Sequence, residues 1–315
     1  MLWVIFPIFS AFFYCMSSFL QKRLVSGHSL KAHPSSYTAI HIPVFIVSMV
    51  ALPIIFGRSV FMLPIQNALG LILAGAVNVF GLAFYLKALH AGEAMDVTVF
   101  SQTGPIFSLI LGVLMLNQNI SSMQIIGFLV ILFASLLVGI FGEEKRRSKS
   151  PSGKVAIITI IYSFFSILSD VIFIYFLGNA TTNITLFSQS FLFFQIGSFL
   201  MSIFCLIVFP AWRKDLAVFL ARSKNKGLNL ASSFIEDFCF LCAEILFKLG
   251  LILAPALALL SVLGKISSLF ASFILNLALG QLFPKVIKTK KFTTKTLSVY
   301  LVAAALIVVG IFVMN

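Results

Sequence analysis

The feature that most constrains the fold is a succession of ten long apolar runs with short polar segments between them. A helix needs about 20 apolar residues to cross the ~30 Å hydrocarbon layer of a bilayer, and each run approaches or exceeds that length. The strict alternation of barrel strands is missing, so we expect an all-α membrane protein with ten transmembrane helices. The runs cover residues 2–24, 36–56, 65–89, 94–116, 121–141, 154–177, 184–209, 229–253, 256–282 and 296–314.

The composition excludes an ordinary soluble domain. Hydrophobic residues make up 60% of the 315 residues and charged residues 10%, whereas a soluble domain has about a quarter charged. The net charge of +13 would favour a nucleic-acid partner only if it formed a basic face on a folded domain, and here it lies in short loops. We therefore expect the lipid bilayer as the surroundings and no nucleic acid as a partner, in a multi-pass protein of a bacterial inner (plasma) membrane.

The positive charges are distributed unevenly between the two sides of the membrane. Of the 22 Lys and Arg, all but Arg58, Lys248 and Lys265 lie in or beside the odd-numbered connections between runs. The positive-inside rule therefore places the odd-numbered connections in the cytoplasm and both chain ends outside.

The chain also divides into two similar halves. The basic segment 142–153 (GEEKRRSKSPSG) separates a first unit, 1–141, from a second, 154–315. A shift of 161 residues places 84–87 (FYLK) on 245–248 (ILFK), and Gly104 on Lys265. Because each half has five helices, an odd number, related halves must be inverted in the membrane. Inverted repeats are typical of secondary transporters, with the substrate site between the repeats, so we expect a central cavity lined by helices 1, 3, 4, 6, 8 and 9.

Several short motifs in the first half, in a fixed order, resemble the helix 3–5 pattern of EamA-type transporters in the drug/metabolite transporter superfamily. They are 85–89 (YLKAL), Ala94, 102–105 (QTGP), 111–116 (LGVLML) and 124–127 (QIIG). The resemblance implies ten helices in two repeats, movement of small metabolites, amino acids or drugs, and cytoplasmic chain ends, against the charge distribution. The sequence departs from the pattern at Asn117-Gln118 and Gly280-Gln281, where an acid is usual, and at Lys265, where a small residue is usual.

Ionisable and polar residues inside the runs mark the candidate substrate site. Helix 9 carries a polar stripe at helical spacing, from Ser261 through Lys265 to Asn276, and helix 8 carries three acids and a lysine. Stripes on several helices can close around one aqueous cavity. The candidate substrate-binding residues are Lys265, Glu244, Asp170, Asp237, Tyr85, Asn78, Gln102, Ser268, Ser272 and Tyr14.

A charge at this depth costs at least ~2.5 kcal/mol to insert into the bilayer, so each charged residue needs a reason to be there. Two interpretations supply that reason. In the structural one, Glu244 and Lys248 neutralise each other, four residues apart on one helix, and Lys265 pairs with Asp170. In the functional one, Lys265 binds a substrate carboxylate or phosphate, and an acid carries a proton or a substrate amine. Deep acids outnumber deep bases, which favours a coupling proton.

The remaining signals are weaker. Pro105 in the middle of the fourth run predicts a kink in helix 4. The Cys239-x-x-Cys242 spacing lies on an apolar helix without a partnering His, so we expect neither a redox centre nor a metal site there, and no cofactor. Enzyme motifs such as H-E-x-x-H, G-x-S-x-G and the P-loop are absent. The sequence thus favours a non-enzymatic transporter with a small-molecule substrate, for which a monomer suffices; a membrane transferase and a non-transporting scaffold are the alternatives.

Overall fold

The computed structural model describes residues 2–26, 41–91, 97, 100, 101, 103–141, 153–177, 184–210, 212, 213, 226–282 and 294–314. In these residues the chain forms ten α-helices and no strand, which confirms the all-α prediction and the approximate position of every run. The helices are α1 (Ile5–Ser26), α2 (Ile42–Phe56), α3 (Ile65–Ala91), α4 (Gly104–Leu116), α5 (Ser122–Phe141), α6 (Gly153–Leu177), α7 (Ile184–Val208), α8 (Lys226–Leu253), α9 (Leu257–Leu282) and α10 (Thr294–Met314).

The helices are suited to a membrane. Four helical segments of the described chain are long and apolar enough to cross it: Ile42–Phe61, Ile65–Ala91, Gly153–Leu177 and Thr185–Val208. Large apolar side chains such as Ile54 and Phe312 are strongly exposed on the outer surface, where lipid would cover them. The acids of α8, by contrast, are buried among other helices. The chain is an integral membrane protein.

The expected bend between α8 and α9 is present at Ala254-Pro255. Proline has no backbone N–H and cannot continue a helix, so the chain turns there. The first N–H groups of α9 have no acceptor within their own helix. A side chain from another part of the fold accepts from one of them: the Leu257 N–H donates to Gln118 Oε1 at 3.2 Å. Gln118 follows Asn117, which ends α4 in the left-handed region with φ 49°. The turn after α4 therefore fixes where α9 begins.

Pro105 does not lie inside one continuous helix, because the fourth run is interrupted just before it, after helical residues at 97, 100 and 101. The chain turns at Thr103, whose N–H bonds to the Phe100 carbonyl at 3.2 Å, and α4 begins at Gly104 with Pro105 in its first turn. A proline in the first turn loses no helical hydrogen bond, since the first N–H groups have no partner within the helix. Pro105 thus starts a helix instead of bending one.

Seven of the helices pack as two groups, while α5 packs against α10 and α9. In the first group α1 packs mainly against α8 and α9, and in the second group α3 packs mainly against α6 and α7, with α2 beside α7. Few residues of the two groups approach each other directly, while α4 lies between α6 and α9. The inverted relation of the two halves and their boundaries stay predictions.

Two glycines allow α3 and α7 to approach closely. A Cβ at Gly75 would overlap the Phe194 carbonyl oxygen, and one at Gly197 would overlap the Ile72 carbonyl oxygen. Small residues at such contacts are typical of transmembrane helix packing. Close backbone approach holds the second group together.

We expect Gly75→Ala and Gly197→Ala each to destabilise the protein by about 1–3 kcal/mol, because the added methyl group must displace backbone. The measurement is the melting temperature of the purified protein in detergent. Gly153→Ala is the matched control, since a Cβ there meets no atom of the described residues within 4 Å. Equal melting temperatures for Gly75→Ala and Gly153→Ala would contradict the packing.

Candidate functional site

A buried carboxylate lies at the centre of the candidate site. The Tyr14 hydroxyl of α1 donates to Glu244 Oε1 of α8 at 2.9 Å, and Asn78 of α3 interacts with the same carboxylate. Glu244 is only 6% exposed, and its other oxygen, Oε2, has no hydrogen-bond partner among the described residues. Buried polar atoms are nearly always bonded, so this oxygen is available to a proton or to a donor on a ligand.

A chain of aromatic and hydroxyl contacts connects Lys265 of α9 with Ser18 of α1. Lys265 Nζ lies 5.6 Å from the centroid of the Tyr162 ring, a cation–π distance. The Tyr162 ring lies 4.9 Å from that of Tyr85, whose hydroxyl is 3.0 Å from Ser18 Oγ. Lys265 is partly buried, and it forms no salt bridge with any residue that the structure describes. Lys265 is a cation inside the protein on which Asp170 acts electrostatically, but with which no described acid forms a salt bridge.

Two of the serines of the α9 stripe, Ser268 and Ser272, take part in packing. Ser268 Oγ donates to the Gly264 carbonyl of its own helix at 2.8 Å, and the Ser268 carbonyl accepts from Cys15 Sγ at 3.1 Å. Ser272 Oγ lies 3.2 Å from the same sulfur. These contacts attach α1 to α9, which agrees with the role of serine as a link between transmembrane helices.

Both ion pairs of the structural interpretation are wrong. Lys248 Nζ donates to Asp170 Oδ1 at 2.6 Å, and both side chains are buried. The Phe173 and Phe194 rings lie 4.7 Å and 4.4 Å from the same nitrogen. A direct contact between α6 and α8 compensates both charges, whereas neighbours four residues apart on one helix contribute only ~0.2–0.5 kcal/mol. Asp170 is thereby bonded to Lys248, and it acts on Lys265 only over a longer distance.

Asp237 belongs to a different part of the protein. It lies seven residues from Glu244 on α8, about 10 Å along the axis, and its Oδ1 is 2.7 Å from His41 Nδ1. Glu236 is beside them, with Oε2 at 3.9 Å from the same nitrogen. Asp237 was predicted to lie in the substrate site, and its partner His41 was not among the predicted site residues. An ionisable residue inside the apolar run 36–56 was the signal that could have indicated it. Gln102 lies outside the described residues.

The His41, Glu236 and Asp237 ligand atoms lie within 4.8 Å of one another, close enough to consider a metal ion. Two ligands at about 2.1 Å from an ion are separated by about 3 Å or more, and the 2.7 Å contact between His41 and Asp237 is shorter. The cluster is arranged as a hydrogen-bond network.

Comparison with known proteins assigns the first half of the chain. Residues 1–140 match the EamA-like transporter family. This family belongs to the drug/metabolite transporter superfamily, so the resemblance carried by the helix 3–5 motifs is confirmed. Members of the family are typically membrane transporters and not enzymes.

A solved crystal structure is similar to this chain over almost its whole length. The two share 15% identity, with a TM-score of 0.60, over 98% of this chain and 94% of the other. At that identity the likeness shows the fold alone. No curated protein matches the sequence.

We expect Lys248→Met to destabilise the protein by about 3–5 kcal/mol, because it leaves the Asp170 carboxylate buried and unpaired. Asp170→Asn combined with Lys248→Met should recover most of that loss. The measurement is again the melting temperature in detergent, with Lys154→Met, on the exposed start of α6, as the control. A double variant no more stable than Lys248→Met alone would contradict the pairing.

Proposed function

We propose that the protein is a secondary transporter that moves a small anionic or zwitterionic metabolite, such as an amino acid, by alternating access. The observation that carries the proposal is Lys265, a partly buried cation with no salt bridge among the described residues. A charge inside a membrane protein is costly unless an opposite charge accompanies it. A substrate carboxylate or phosphate would supply that charge.

The start of α4 adds to the attraction for an anion. A Cβ built on Gly104 would lie 3.4 Å from Lys265 Cε, so the lysine stem runs past the first residue of this helix. The N-terminal end of a helix carries partial positive charge. Two positive features therefore lie together, in support of an anionic group between them.

Glu244 offers the complementary contact for an amine. Glu244 lies ten residues before Ala254, and Lys265 lies ten residues after Pro255, so each is about 15 Å from the bend. They lie at similar depth on the two arms of the α8–α9 hairpin. The free Oε2 of Glu244 could accept from a substrate ammonium group while Lys265 donates to its carboxylate.

The packing of the helices supports movement around this site. Tyr14, Glu244 and Lys265 belong to the first group (α1, α8 and α9), whereas Asn78, Tyr85 and Tyr162 belong to the second (α2, α3, α6 and α7). A substrate held between two groups that pack mainly internally can be exposed to either side when they rock. The proposal includes a bacterial inner-membrane location.

We expect Lys265→Met to weaken binding of anionic and zwitterionic ligands about 10- to 100-fold, since a hydrogen bond to a charged group contributes about 1.5–3 kcal/mol. The measurement is thermal stabilisation of the purified protein by a panel of amino acids, nucleotides, sugar phosphates and cationic drugs. Lys154→Met should behave as the wild type. Hits confined to lipophilic cations would overturn the proposal, and a chemically altered ligand would favour a membrane transferase.

Glu244→Gln separates the two substrate classes. It should weaken the binding of zwitterionic ligands, which lose the carboxylate that faces their ammonium group. The binding of simple anions should be unchanged or improved. The same panel measures both effects, and Tyr14→Phe tests the hydroxyl that holds Glu244. Equal losses for zwitterions and anions would contradict the amine contact.

A further inference from the structure

A second group of ionisable side chains lies away from the central site, near the start of α8. It consists of His41, Glu236 and Asp237, which are 1%, 1% and 6% exposed. His41 immediately precedes α2, and both acids are on α8. Both helices begin after odd-numbered connections, so the cluster lies toward that side of the membrane, whereas Lys248 and Asp170 lie toward the other.

The hydrogen bonds define which atoms can take a proton. Ser17 Oγ and Gln21 Nε2 both donate to Glu236 Oε1, at 2.6 Å and 2.9 Å. Gln21 Nε2 also faces His41 Nε2 at 3.4 Å, which matches a ring nitrogen without a proton. The Nδ1–H then donates to Asp237. The ring is thus held by a donor on one side and a carboxylate on the other.

The charge balance of the cluster requires a proton. Two carboxylates face one imidazole, and among the described residues the other ionisable groups that act on them are Tyr85 of α3 and Cys239 and Glu244 of α8. None of these is a cation. With a neutral ring and two ionised acids the cluster would carry two negative charges that no described cation compensates, which is unfavourable in the interior. Uptake of a proton, on the ring or on Glu236 Oε2, reduces that charge.

The cluster also connects the two helix groups. The first group contributes Ser17 and Gln21 from α1 and both acids from α8, while His41 belongs to α2 of the second group. Asp237, Glu244 and Lys248 follow one another on α8 at spacings of seven and four, which places them on one face of that helix. The polar face of α8 therefore runs from this cluster through the central carboxylate to the Asp170 pair.

We propose that the His41–Glu236–Asp237 cluster is a proton-binding site that couples transport to a proton gradient. The proton enters from the side of the membrane that carries the odd-numbered connections. Once bound, it holds α2 against α8 and closes the central site at that end. Its release leaves the carboxylates without compensation, and the two groups separate there. This inference depends on the transport function proposed above, and it adds the coupling ion and the residues that bind it.

The first experiment uses proteoliposomes and the best ligand of the panel. His41→Gln and Asp237→Asn should lose accumulation driven by a proton gradient but keep exchange of labelled for unlabelled ligand at the wild-type rate. Lys265→Met should lose both activities. Wild-type protein without exchange would overturn the transport function itself, whereas gradient-driven accumulation in both variants would overturn only the coupling site.

The second experiment needs no substrate. If the folded cluster holds a proton that the unfolded chain lacks, the stability of the wild type relative to His41→Gln falls as pH rises above the ordinary His pKa of about 6.5. A His41 that is only a neutral packing residue gives the opposite slope. The measurement is the melting temperature from about pH 6 to about pH 9, a range that includes that value. The opposite slope, or stabilisation by Zn²⁺ that His41→Gln abolishes, would overturn the proposal.

Discussion

The structure depends on the compensation of charges that the bilayer interior would otherwise exclude. The contact between Lys248 and Asp170 satisfies two of them at 2.6 Å, between α6 and α8, inside an aromatic enclosure. This pair determines which partners remain for the other buried charges. Because Asp170 is engaged, Lys265 has no salt bridge among the described residues, and because Lys248 is engaged, Glu244 depends on Tyr14 and keeps one oxygen open.

Polar and apolar contacts occur both within and between the two helix groups. Within the first group Tyr14 bonds to Glu244, and within the second two glycines allow α3 to approach α7 closely. Between the groups, Val171 of α6 and Leu251 of α8 belong to one apolar cluster, and three polar contacts lie beside it: His41 with Asp237, Ser18 with Tyr85, and Lys248 with Asp170. Apolar packing resists separation, whereas a hydrogen bond can be exchanged for one to water or substrate. The polar contacts between the groups are therefore the ones that we propose to change when the groups move.

The sequence predicted the helices well because their signal is local. Run length and the proline at 255 located the α8–α9 hairpin, and the ordered short motifs of the first half indicated the family. The ion pairs were predicted wrongly because they depend on which helix faces which: Lys248 and Asp170 are 78 residues apart, and His41 and Asp237 are 196 apart. The prediction for Pro105 failed for a similar reason, since local sequence does not distinguish a proline that starts a helix from one that bends it.

We propose that two helix groups rock around a substrate held at Lys265 and Glu244. The most direct test of this proposal is the distance between spin labels at both ends of the interface. One pair joins Val47 of α2 to Ile235 of α8, and the other joins Tyr175 of α6 to Leu253 of α8, all on the exposed surface. With a stabilising ligand we expect one distance to lengthen while the other shortens. Two distances that stay unchanged, or that change in the same direction, would contradict it.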